Sequence, residues 1–194
     1  LDFVGAVLLI VLCAPVFLIV AFAVACDGGP VLFRHQRIGR GGVPFHCLKF
    51  RSMVLDSERV LREFLAGNPE ARQEWGQDFK LRDDPRITTV GRFLRKTSLD
   101  ELPQLFNVVR GDMSLVGPRP IVAAEIARYG HDIAHYYRCR PGITGLWQVS
   151  GRNDMGYTQR VLLDVEYAGR CSLRRDIAIL ARTARVVLLG VGAY

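Results

Sequence analysis

KTSLDELPQLFNVVRGDMSLVGPRP, residues 96–120, is the stretch on which the reading of this chain turns. Leu102, Leu105, Phe106 and Val109 recur at helical spacing and predict an amphipathic helix that buries them. Gly111 ends it. Pro103 limits where it begins, because proline is tolerated only where its missing N–H has no partner, in the first turn. A start near Asp100 follows, and Ser98-x-x-Glu101 also reads as a capping box. Either start puts Asp100 and Glu101 at the positive end of a helix dipole, just after Arg95 and Lys96, which favours ionised carboxylates. A Gly-Pro-Arg-Pro turn, residues 117–120, comes next. Taken alone, the Asp-Glu pair is equally what an acid-capped helix between solvated basic residues looks like.

Upstream, residues 80–86, KLRDDPR, form a charge-dense turn. Asp83 and Asp84 there read as caps of the following segment before they read as metal ligands. Residues 54–79 predict charged helix with Val54, Leu55, Val60, Leu61, Phe64 and Leu65 as its apolar face, broken at Gly67-Asn68-Pro69. Residues 31–38 and 44–50 read as two strands joined through Gly39-Arg40-Gly41-Gly42, a hairpin. Those glycines fit neither a Walker loop nor a dinucleotide motif. Residues 3–25 carry no charge and are long enough, at roughly 35 Å of helix, for a transmembrane segment. They lack the basic flank of a signal peptide. Pro15, near the centre, predicts a kink, so a kinked spanning helix is the default from residues alone. A turn at Asp27-Gly28-Gly29-Pro30 marks the boundary.

Downstream, residues 121–137 read as a helix of mixed charge, and residues 138–152, RCRPGITGLWQVSGR, as a loop rich in glycine and arginine around Trp147. Such a loop can turn guanidinium groups onto a diphosphate, or simply fold over a buried tryptophan. Residues 157–167 predict a helix holding Asp164, and residues 173–189 another with Arg174, Arg175, Arg182 and Arg185. The last suits either a membrane surface or a packed core. His131 and His135 stand four apart without a third ligand, which favours surface histidines over zinc.

The 194 residues suffice for one domain with a core. Mean hydropathy is +0.15, yet the net charge is +7. The apolar excess is at the start, so residues 27–194 hold all 26 basic side chains and all but one of the 19 acids. A basic body beside an apolar segment points to a membrane surface or a phosphorylated substrate. Nucleic acid is the competing partner, but no zinc-finger spacing, helix-turn-helix or RNP-like string supports it. Five cysteines without C-x-x-C argue against a disulfide framework and for a reducing cytoplasm. The sequence opens on Leu1-Asp2-Phe3, already inside the apolar stretch, as a fragment of a longer chain would.

The string S-L-D-E-L-P-Q-L…G-D-M-S-L-V-G-P-R-P resembles the bacterial polyprenyl-phosphate hexose-1-phosphate transferases, the monotopic phosphoglycosyl transferases that begin cell-surface glycan assembly. G-P-V-L-F-R-H-Q-R-I-G, K-F-R-S-M and R-P-G-I-T-G-L-W-Q-V-S-G-R resemble the same family, so the likeness covers nearly the whole chain. It implies an α/β, mainly α fold: a re-entrant membrane helix over residues 1–26, with both ends cytoplasmic, and a mostly helical cytosolic catalytic domain over 27–194 with a small β-hairpin. The family's Ser-Pro pair at the membrane break is Ala14-Pro15 here, without the serine hydroxyl. Long members carry further transmembrane helices upstream, and this chain resembles the catalytic part of such a member.

The resemblance implies transfer of a sugar-1-phosphate from a UDP-sugar to undecaprenyl phosphate at the bacterial inner membrane. This is the first membrane step of exopolysaccharide, capsule or O-antigen synthesis. Asp100 is the expected nucleophile and Glu101 the expected Mg²⁺ ligand. Arg119, Arg95, Lys49, Arg51 and Asp164 are expected to hold substrate phosphate or support the acid pair. A diphosphate repels an anionic nucleophile, so it needs a cation and arginines around it, and hard Mg²⁺ prefers carboxylate and phosphate oxygens. The segment W-Q-V-S-G-R-N…G-A-Y resembles the galactose branch more than the glucose branch. A homodimer stays open. The alternatives are a non-catalytic basic membrane module, which needs the charge but not the acid pair, and a Mg²⁺-dependent phosphohydrolase.

Overall fold

Pro15 sets the first feature of the architecture. Its ring removes one helix bond, and the apolar segment divides there into α1 (Asp2–Leu12) and α2 (Ala14–Cys26), bent by 65°. The break forms at Cys13 without any side-chain cap, so the proline suffices where the serine is missing. The computed structural model describes residues 2–78, 81–151 and 156–189. Among them no single helix is long and apolar enough to cross a membrane.

The hairpin follows, β1 (Leu32–Ile38) against β2 (Pro44–Phe50), antiparallel with Phe33 opposite Lys49 and Arg37 opposite Phe45. Then come α3 (Ser57–Gly67) and α4 (Pro69–Asp78), separated at Asn68, whose Oδ1 accepts the Ala71 N–H. The residues expected on their apolar face are half-buried, apart from exposed Leu55. α5 (Thr89–Thr97) is capped by Thr88 Oγ1 and runs into a 3₁₀ turn (Leu99–Glu101) and α6 (Gln104–Arg110). After β3 (Ser114–Val116), the single helix expected over 121–137 is divided. It becomes α7 (Ile126–Tyr129) and α8 (Ile133–Arg138), with Gly130 at φ +52° between them. A positive φ is left-handed backbone that ends a helix. The expected loop over 138–152 contains β4 (Gly142–Thr144) and α9 (Leu146–Ser150). α10 (Tyr157–Gly169) and α11 (Leu173–Leu189) complete a mostly helical chain with two small two-stranded sheets. Lys80 and Arg152 lie outside the described residues.

The central stretch departs from expectation at its start. Asp100 and Glu101 do not open α6; they lie in the 3₁₀ turn before it, and Pro103 is the residue that precedes α6. The missing proline N–H falls at the changeover from 3₁₀ to α geometry, where no helical partner is lost. Ser98 caps nothing with its side chain; it closes α5 in a left-handed conformation, φ 58°. The buried face of α6 is in part the expected one, with Leu105 buried and Leu102 and Val109 half-buried against the same core. Leu105 and Val108 are buried with Gln104 and Asn107, whereas Phe106 is 39% exposed.

The hairpin explains why Asn107 is inside. Its side chain is fully buried and replaces backbone partners for β2, accepting the Leu48 N–H at 2.9 Å and donating to the His46 carbonyl at 2.8 Å. A polar side chain is tolerated in the core only when so satisfied. Asn107→Ala is expected to cost about 2–3 kcal/mol, because two backbone groups lose their partner in a dry site. In thermal melts this should read as a drop of roughly 5–10 °C. A shift within one degree would contradict the assignment of Asn107 as the tie between α6 and the hairpin.

The apolar helix pair rests on this body at both ends. α1 buries Ala6 in the core formed by Phe45, Cys47, Leu105, Val108 and Met113. The Leu115 N–H donates to Asp2 Oδ1 at 3.2 Å. α2 packs Val20 and Val24 against Phe50 and Leu94. The opposite faces leave Phe3, Val4, Leu8, Val11, Leu12, Leu18, Ile19 and Phe22 exposed.

Candidate active site

β2 and the 3₁₀ turn bring together the two acids and a lysine. Lys49 Nζ lies 2.6 Å from Glu101 Oε1 and 3.8 Å from Asp100 Oδ2. The Asp100 side chain is about one-tenth exposed, that of Glu101 about one-third. Close approach of α5 completes this side. A Cβ on Gly91 would stand 2.0 Å from the Ser52 carbonyl oxygen, so only glycine lets α5 come this near. Arg95 on that helix donates from Nε to Ser52 Oγ at 3.0 Å and acts electrostatically on Asp100. Lys96, expected to help keep Asp100 ionised, is exposed.

The two carboxyls are pushed apart. Burial, with the Glu101 charge beside it, raises the Asp100 carboxyl above its ordinary value, and Lys49 and Arg95 offset only part of that. This corrects the expectation that neighbouring cations and a helix dipole decide its state. Burial also works against the Glu101 carboxylate, but Lys49, Arg119 and Arg37 outweigh it and hold Glu101 below its ordinary value.

Arg119 sits on a bracket formed by the parallel pairing of β3 with β4, a feature without sequence signature. The Gly117 N–H donates to the Thr144 carbonyl at 2.9 Å, and the Gly142 N–H to the Pro118 carbonyl at 2.8 Å. A Cβ on Gly117 would lie 2.4 Å from the Arg140 carbonyl oxygen, which makes glycine necessary for this closeness. On the far side Arg37 Nη1 donates to the Pro120 carbonyl at 3.1 Å, and His35 Nδ1 stands 3.0 Å from Arg37 Nη2. Burial and the charges of Arg37 and Lys49 depress the His35 pKa, so the ring is a neutral acceptor for that guanidinium. The N–H of Ile38 then donates to the Ile121 carbonyl, closing the turn against the hairpin.

Two expected residues lie apart from the acid pair. Arg51 is buried and turned to the end of α2, donating to the Pro30 and Val24 carbonyls at 2.9 Å each and to Gly28. Val24 lies in the last turn of α2 and Gly28 and Pro30 in the turn after it, so this guanidinium ties off the end of that helix. Asp164 is 1% exposed and accepts the Tyr129 hydroxyl at 2.7 Å; burial pushes its carboxyl up to about 7. It is reached electrostatically by Arg119 and Arg160. Asp83 and Asp84 hold no metal cluster: Asp84 pairs with Arg86, and among the described residues no group of three metal-ligating side chains exists. The five cysteines are free. Reasoning from sequence missed Arg37 and Arg160, and read Trp147 only as the buried residue of its loop, which it is. Arg37 stood within one of the family-like strings, and Trp147 within another.

The carboxylates fit Mg²⁺ as far as their chemistry goes. That ion takes one or two protein carboxylates and completes its shell with phosphate oxygens and water, and Glu101 is both ionised and partly accessible.

A buried acid beside an ionised one, overlooked by lysine and arginines, has the chemistry to receive anionic, phosphorylated groups. The bacterial sugar transferase model matches residues 1–190, and the chain belongs to that family. It is 56% identical over 193 residues to the undecaprenyl-phosphate galactose phosphotransferase of Salmonella typhimurium and 57% identical over 193 residues to the UDP-galactose-lipid carrier transferase of Erwinia amylovora. The whole chain is covered in both, but only 40% of each relative. The exopolysaccharide production protein ExoY of Sinorhizobium fredii is 49% identical over 194 residues, with 86% of its length covered.

Proposed function

We propose that this chain transfers a sugar-1-phosphate from a UDP-sugar to undecaprenyl phosphate, releasing UMP. The observation that carries the reading is the pairing of Lys49 with Glu101 beside buried Asp100, under the bracket of Arg119. The relatives' names supply the chemistry that such a site suits.

An Asp100 carboxylate oxygen attacks the phosphorus that bears the sugar. The bond to UMP breaks, and an acyl phosphate joining Asp100 to the sugar phosphate forms. An oxygen of the lipid phosphate then attacks the same phosphorus, the bond to Asp100 breaks, and polyprenyl diphosphate sugar leaves. Arg119 holds the phosphate with its planar fork, while Arg37 and the strand bonds keep the turn from yielding. Lys49 and Arg95 steady the acid pair. Mg²⁺, held by Glu101, would neutralise diphosphate charge. Asp164 acts from behind.

The helix pair enters and leaves the membrane on the cytoplasmic side of the inner membrane in this reading. Its support is the attachment of both ends to one body, through Asp2 with Leu115 and through Arg51 with the end of α2, and the exposed apolar faces. Single cysteines placed at residues 2 and 27, in a full-length protein without its native cysteines, should both label from the cytoplasm. Labelling from opposite sides would establish a spanning segment.

Galactose is the favoured sugar and glucose the next, on the names of the relatives and the branch resemblance. Residues 192–194 of that resemblance lie outside the described residues. UMP release with a panel of UDP-sugars, with and without undecaprenyl phosphate, tests the function. Fastest UMP release with UDP-galactose is expected, with lipid-linked sugar appearing only when the lipid is present. Glucose or an N-acetylated sugar clearly outpacing galactose would overturn the sugar, and free sugar phosphate without lipid would make the chain a phosphohydrolase.

A further inference from the structure

Behind Arg119 the chain stacks charge on aromatic rings. The Arg119 guanidinium carbon lies 5.7 Å from the centre of the Trp147 ring, and that of Arg160 lies 4.3 Å from it. Arg160 also reaches the Tyr157 ring at 5.3 Å, and Arg128 approaches the same ring at 4.8 Å. Trp147 is 4% exposed. One helical turn beyond Arg160, Asp164 is more deeply buried still.

A tryptophan placed for core packing alone would not be arranged this way. Its Nε1, the Arg160 Nε and Asp164 Oδ1 are all buried without a hydrogen-bond partner among the described residues, and each such atom is costly. The two guanidiniums also repel, and burial together with Arg119 lowers the Arg160 pKa. What holds them together is the ring between them in the chain of contacts. Costs of this kind persist where placement matters more than stability.

We propose that Trp147 and Arg160 are positioning residues for Arg119, the one indole carrying both guanidiniums. Trp147 sets where the Arg119 fork stands, and Arg160 keeps the indole in place. Neither touches the substrate. The inference rests on the reading of Arg119 as a phosphate-holding group.

A binding cycle tests it, in full-length protein carrying Asp100→Asn so that the donor stays intact. UDP-galactose with Mg²⁺ is titrated by calorimetry. Trp147→Leu should weaken binding roughly tenfold, whereas Trp147→Phe, which keeps a ring, should stay within about threefold. Arg160→Met should resemble Trp147→Leu, and Arg160→Lys should recover part of the loss. In an Arg119→Lys background, where no planar fork remains, Leu and Phe at position 147 should bind alike. An equal loss from Trp147→Leu in both backgrounds overturns the proposal. A second reading covers variants that fold poorly. In Trp75→Phe protein, Trp147 is the only tryptophan, and UDP-galactose should change its emission with Arg119 present and not with Arg119→Lys. Normal calorimetric binding without any emission change also overturns the proposal. Undiminished binding in Arg119→Lys overturns the reading of Arg119 itself and the proposal with it.

Discussion

Asp100→Asn is expected to abolish turnover by at least about 10³-fold, because the substitution removes the attacking oxygen while keeping the shape. Wild-type protein given UDP-sugar alone should release about one UMP per site and retain labelled phosphosugar, as a two-step covalent route requires. The variant should do neither and should still bind Mg²⁺. Direction of pH dependence follows from the site. Attack needs the carboxylate, and burial raises the Asp100 carboxyl. Activity is therefore present above that raised value and lost as pH falls through it, so the acid limb should lie above the ordinary range of aspartate. Labelled enzyme in Asp100→Asn would remove Asp100 from its role. UMP appearing only when lipid phosphate is present, with no labelled wild-type enzyme, would replace the covalent route by direct transfer.

Glu101→Gln should separate the second acid from the first. The amide keeps the volume but loses the charge that Lys49 meets at 2.6 Å. Mg²⁺ affinity should fall, and turnover with it by roughly 10²-fold or more. Raising Mg²⁺ should restore part of the rate in Glu101→Gln and none in Asp100→Asn. Adjacent residues in a 3₁₀ turn point about 120° apart, so divided duties are natural for this pair. Unchanged Mg²⁺ affinity in Glu101→Gln would take the metal away from this carboxylate.

The sequence announced some of this better than the rest, for physical reasons. The hairpin was legible because alternation and a glycine-rich turn are local signals. The break at Pro15 and the limits of the last helix were legible for the same reason. β3 and β4 were not: three-residue strands carry no period, and only their partner defines them. Phe106 was expected inside and is exposed, while Asn107 is buried because the hairpin asks α6 for a hydrogen-bonding side chain, a demand made from 61 residues away. Lys49 and Arg51 looked equivalent in K-F-R-S-M, yet one meets the acids and the other ends a helix. Arg37, Trp147 and Arg160 act on Arg119 through contacts that linear distance conceals.

The bond between Asp2 and Leu115 spans 113 residues. Chain synthesis proceeds from the other direction. α1 is made before its anchor, which exists only after the hairpin, α5 and α6 do. Until then the apolar pair lacks the protein partner that fixes its first turn. A contact of such sequence separation closes late. The apolar pair thus waits for the body that will seat its first turn.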